Sequence, residues 1–137
     1  MIATEEAALN AAMDAMRGAF AWGGCDCVTA AGRAFRALHG VDPLGDLAGR
    51  YSGPRGALRM AREAGGAEAW CERWFARAGL RGVAKPRPGD LALVDAGGPF
   101  GAALGLCVGA GVAVKAAQGM TITTMRPVAG WTCRSSS

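Results

Sequence analysis

The grammar of the chain changes once, at Lys85, and that change restricts the fold more than any other feature. Before it, apolar residues recur at helical spacing between capping residues. After it, "KPRPGD" leads into short apolar runs divided by glycines. Helices first and an antiparallel sheet second is the order of an α+β fold, whereas an alternating α/β chain would interleave them. With 137 residues, 51% of them hydrophobic, the chain closes one core rather than two. The expected organisation is one domain over 1–133 followed by a frayed polar tail, Arg134-Ser135-Ser136-Ser137.

Within the helical half, Thr4 precedes Glu5 and Glu6 as an N-cap precedes an acidic first turn, and Leu9, Ala12, Met13 and Met16 repeat on one face up to Gly18. Asp26 is placed to cap a second helix running to about Leu38, with Val28, Ala31, Phe35 and Leu38 inward. His39-Gly40 and Asp42-Pro43 end it. A loop over 41–53 leads to a third helix opened by Pro54, on which Arg55, Arg59 and Arg62 share a face that reads as solvated. A fourth helix spans about Ala67 to Ala78, with Trp70 and Trp74 one turn apart and stacked for packing. The expected strands are Leu91–Val94, Leu104–Val108, Val112–Lys115 and Met120–Thr124.

Composition excludes several classes. A net charge of +4 is spread thinly, only 19% of residues being charged and none in a polybasic block, so no nucleic-acid surface is expected. Ala96 to Val114 carries no charge, and glycines at 97, 101, 105 and 109 give it a small-xxx-small series. It has too few large apolar side chains for a membrane span and reads better as a hairpin of 102–108 and 112–115 turning at Gly109-Ala110-Gly111. The amino-terminal "MIATEEAALNAAMDAM" lacks the basic and apolar regions of a signal peptide, which points to synthesis in the cytoplasm. Five cysteines and one His supply neither a disulfide framework nor a zinc ligand set, and no cofactor is implied.

The chemistry concentrates at Cys27, on the first turn of the second helix with Asp26 as its cap. Unpaired N–H groups and the helix dipole favour a thiolate there, and the same N–H groups suit an oxyanion, so the position fits acyl transfer through a thioester. Cys25-Asp26-Cys27 also admits a thiol-redox reading, although its spacer is one residue where redox pairs have two.

Trp22-Gly23-Gly24, then Asp26-Cys27 opening an Ala-rich helix, then Pro88-Gly89-Asp90-Leu91 ahead of "ALGLCVGAGVAV" resembles the NlpC-type cell-wall peptidases of the papain-like clan over roughly Ala19 to Val114. "WGGCDC", the Gly40-Val41-Asp42-Pro43 loop and Tyr51 before a helix are similar to small members of that clan associated with the tails of bacteriophages and gene transfer particles. The resemblance implies a papain-like α+β fold, with the cysteine at a helix start packed on a small antiparallel sheet. It also implies a nucleophile at Cys27, a place in a virion tail tip or hub, and tail proteins or peptidoglycan as partners.

The same resemblance puts the general base where Ala103 stands. The single histidine, His39, lies twelve residues along the same helix from Cys27, about 18 Å away at 1.5 Å per residue. A base must come within about 3 Å of the proton it takes or act through one water. Lys115 is a weak alternative base, and with Gln118 it falls near the interval of the family's orienting residue. Phe20 stands where the family offers a tyrosine hydroxyl, and Cys25 alone separates Gly24 from the Asp-Cys pair. Two functions follow as expectations: a degenerate peptidase scaffold with a structural or assembly role, and an active peptidoglycan amidase whose base comes from elsewhere.

Overall fold

The structure, a computed structural model, describes residues 3–45, 47, 50–97 and 101–133. Four helices, α1 (Glu5–Ala15), α2 (Cys27–His39), α3 (Pro54–Ala64) and α4 (Ala67–Arg77), precede the strands β1 (Arg81–Gly82), β2 (Leu91–Gly97), β3 (Gly101–Cys107), β4 (Val112–Lys115), β5 (Met120–Thr123) and β6 (Pro127–Thr132). The strands form one sheet in the order β1-β6-β2-β3-β4-β5, with every pairing antiparallel. The fold class is α+β, with the helices segregated ahead of the sheet as the grammar of the sequence required.

The helix ends follow local chemistry. Thr4 caps α1 by accepting from Ala7 N, and α1 ends at Ala15, three residues before Gly18. The start of α2 is a reciprocal capping box of Asp26 and Thr29, and Gly40, at φ 72°, closes its other end. Pro54 opens α3 in the position where a missing N–H costs nothing. Gly32, in the middle of α2, leaves the space that the Leu44 side chain fills.

Period-two alternation splits the sheet between two clusters. Leu91, Leu93, Leu104, Leu106 and Ala113 join α1, α2 and α4 in the main core, around the fully buried Phe35 and Phe75. The alternate residues Ala92, Val94, Val112 and Val114 form a second, smaller cluster, against which Cys27 and Ala103 pack. Burying a Phe or Leu side chain contributes about 1.5–3 kcal/mol. The main cluster is therefore what holds α2 in place against β3 and β4.

Two strands went unforeseen. β1 is only two residues long, but β6 lies inside the sheet between β1 and β2 and brings in Trp131, which is buried edge-on against Phe75 at 5.1 Å and donates its indole N–H to Glu72 at 2.8 Å. The hairpin of β3 and β4 occupies the uncharged glycine-rich stretch as expected, with its turn at 109–111. Residues 98–100 of that stretch and the tail at 134–137 lie outside the described residues. No described helix is long and apolar enough to cross a membrane.

Candidate functional site

The first turn of α2 is built around a saturated carboxylate. Asp26 is 2% exposed. Its Oδ1 accepts from Thr29 N at 2.9 Å and from the Thr29 hydroxyl at 3.1 Å. Its Oδ2 accepts from Gly23 N at 2.8 Å and from the Tyr51 hydroxyl at 2.6 Å. Asp26 thus does more than cap the helix: it folds the Trp22-Gly23-Gly24 turn back onto α2 and ties the segment before α3 to the same point. Gly23, at φ 78°, lies so close to the Tyr51 carbonyl that a Cβ would collide with it.

Cys27 follows at the first helical position, half-buried, with its Sγ 4.0 Å from the Lys115 carbonyl oxygen. Burial and the adjacent Asp26 charge outweigh the helix N–H groups and the Lys115 charge, and the thiol is pushed up to about 11. At pH 7 that leaves about one thiolate in 10⁴. The dipole is outweighed first because the sulfur is largely buried and second because Asp26 lies beside it.

Each candidate partner can now be placed. Ala103, on β3, lines the same cavity as Cys27 and packs against the same small cluster. Cys27 and the position at which the resemblance expects a base thus border one cavity, and that position carries a methyl group. His39 ends the continuous α2, its ring against Phe35 at 4.4 Å and its Nε2 paired with the Gly89 carbonyl at 2.8 Å. It anchors the Pro88-Gly89-Asp90 turn and stays remote from Cys27. Lys115, 4% exposed at the end of β4, donates to the carbonyls of Gly18, Ala116 and Gly119 at 2.6, 2.8 and 2.9 Å. Three backbone carbonyls thus take the three N–H bonds of its ammonium group. Gln118 is exposed and bridges Ala19 through its backbone.

Cys27 faces an apolar cavity of about 120 Å³, partly open to solvent, whose lining includes Phe20, Trp22, Tyr51, Met60, Trp70 and Cys71. Its other walls come from α3 through Ala57 and Ala61 and from β3 through Ala102 and Leu104. Trp70 and Trp74 stack as their spacing required, with ring centroids 5.6 Å apart at 14°. Only Trp70 reaches the cavity; Trp74 donates to the Leu44 carbonyl at 2.6 Å and lies beneath the guanidinium groups of Arg50 and Arg77. Burial raises two more groups on the wall: Cys71, pushed up to about 12 with help from Glu68 and Glu72, and Tyr51, whose hydroxyl proton is held further by Asp26.

Sequence reasoning missed the role of Tyr51. The chain has one tyrosine, set just before the Gly53-Pro54 helix start, and a buried Asp cap in need of a fourth donor was the signal that could have picked it out. Among the described residues, no group of three or more His, Cys, Asp and Glu side chains is placed to hold a metal.

Fold and site together define an α+β fold with a cysteine at a helix start, its thiol raised by burial, set in an apolar cavity without a free base among the described residues. A family model described as a domain of unknown function, DUF6950, matches residues 2–133, and the chain belongs to that family. No curated protein and no solved structure matches it.

Proposed function

We propose that this protein is a degenerate NlpC-type, papain-like scaffold that serves a structural or assembly role in a phage-type tail tip or hub. The observation that carries the non-catalytic half of this reading is the pairing of Cys27 with Ala103 in one apolar cavity, the thiol raised to about 11. Cysteine acyl transfer needs a thiolate and an acid to protonate the leaving amine. Neither Asp26, whose two oxygens each accept two hydrogen bonds, nor Lys115, which donates to three carbonyls, is free to supply them.

The tail assignment is supported by the resemblance of "WGGCDC", Gly40-Val41-Asp42-Pro43 and Tyr51 to small tail-associated proteins. The buried Asp26–Tyr51 hydrogen bond gives the last of those residues a physical reason to belong to the pattern. In this setting the protein is made in the cytoplasm, incorporated into the virion tail and bound to other tail or hub proteins.

Incubation of the purified chain with peptidoglycan tests the reading. No release of soluble wall fragments or new amino groups is expected. Release that disappears in Cys27→Ala would overturn it in favour of an active cysteine amidase with a base supplied in trans. Mass spectrometry of purified particles tests the setting, with the chain expected at a fixed ratio to the hub proteins; its absence from intact particles contradicts the tail assignment.

A further inference from the structure

The wall of the Cys27 cavity carries the rings of Phe20, Trp22, Tyr51 and Trp70 and the sulfurs of Met60 and Cys71. The carboxylate and the phenol on it are already committed. Both Asp26 oxygens are occupied, and the Tyr51 hydroxyl donates to one of them. No buried side-chain nitrogen or oxygen among the described residues lacks a partner. A charged ligand would lose its hydration and find no free carboxylate, ammonium or guanidinium among the lining residues to offset the loss.

Size narrows the choice further. An enclosed apolar cavity of about 150 Å³ accepts benzene. At about 120 Å³ and partly open to solvent, this cavity is of the size that one six-membered ring fills. Rings pack edge-to-face on other rings, and sulfur sits favourably at a ring edge, so an aromatic ring gains more here than a saturated one of equal size.

We propose that this cavity binds a single uncharged six-membered aromatic ring. The inference rests on reading the cleft as a non-catalytic pocket, and the two can fail separately. Wall hydrolysis dependent on Cys27 would remove that reading while leaving ring binding measurable, and absence of ring binding would leave the hydrolysis result untouched.

The test is a titration of the full chain with fluorobenzene followed by ¹⁹F NMR, with competition by cyclohexane and by benzoate. Saturable binding is expected, with cyclohexane competing at least tenfold more weakly and benzoate not competing. Ala103→Leu fills the cavity from β3 and should weaken binding at least tenfold. Ala61→Leu fills it from α3 and guards against a failure of the first variant to fold. Fluorobenzene should raise the melting temperature of the unmodified chain and not that of either filled variant. N-acetylphenylalanine amide binding alongside fluorobenzene assigns the ring to a side chain, and fluorobenzene alone assigns it to a free molecule; both outcomes support the site. No saturable binding, benzoate competing as well as fluorobenzene, or unchanged affinity in both folded variants overturns the proposal.

Discussion

The two ends of α2 carry Cys27 and His39, side chains of the types a cysteine hydrolase brings together, and at each end the fold builds an anchor, on Asp26 at one and on His39 at the other. At the amino-terminal end, Asp26 gathers Gly23, Thr29 and Tyr51 around one carboxylate, and Cys27 beside it is left as a neutral thiol. At the carboxy-terminal end, His39 holds the Gly89 carbonyl and so fixes the turn entering β2. Residues of catalytic type can serve architecture alone, and what tells the two uses apart is whether their polar atoms are spent.

The largest expected effect separates the ends by pH. Cys27, Cys71 and Tyr51 all line the cavity at the amino-terminal end, and all bind their protons more tightly folded than unfolded. Groups raised on folding contribute fully below their unfolded values, near 9 for the thiols, and that contribution is lost as pH climbs through about 11 and 12. Urea midpoints should therefore be flat from pH 7 to 9 and fall steeply above it. Flat midpoints to pH 11 would contradict the burial of these groups.

Next in size is Asp26→Ala, which strips the acceptor from two buried hydroxyls and two backbone N–H groups and should cost about 3–5 kcal/mol in urea unfolding. Lys115→Met leaves three carbonyls without their shared donor and should cost about 2–4 kcal/mol by the same measurement. The smallest effect, about 1 kcal/mol, belongs to His39→Ala at the other end of the helix, where one hydrogen bond and a ring contact are lost. If His39→Ala slowed Cys27 alkylation by more than twofold, the independence of the two ends would be lost with it.

The sequence made the α+β order, the four helices and the strands β2 to β5 legible, because Thr4, Asp26, Pro54 and Gly40 act locally and the glycines after Lys85 bound short apolar runs. β6 escaped because Pro127 and Gly130 weaken its local signal and its stability comes from Trp131 packing on Phe75 of α4, a contact across the fold. Cys27, Asp26 and Ala103, each singled out from the sequence, line one cavity. The protonation of the thiol was not legible, since it depends on how deeply Asp26 and Cys27 are buried together. Tyr51 and Met60 reach the cavity from segments distant in sequence, and local patterns carry no record of that meeting.

The most direct test of the claim that Cys27 is a spent nucleophile is the pH dependence of its alkylation by iodoacetamide, read at that residue by peptide mass spectrometry so that the other four cysteines do not interfere. The rate is predicted to rise about tenfold per pH unit from 7 to 10, with no plateau below about 11. A plateau between pH 6 and 8 would reveal a thiolate stabilised by a charged partner, and would contradict the account.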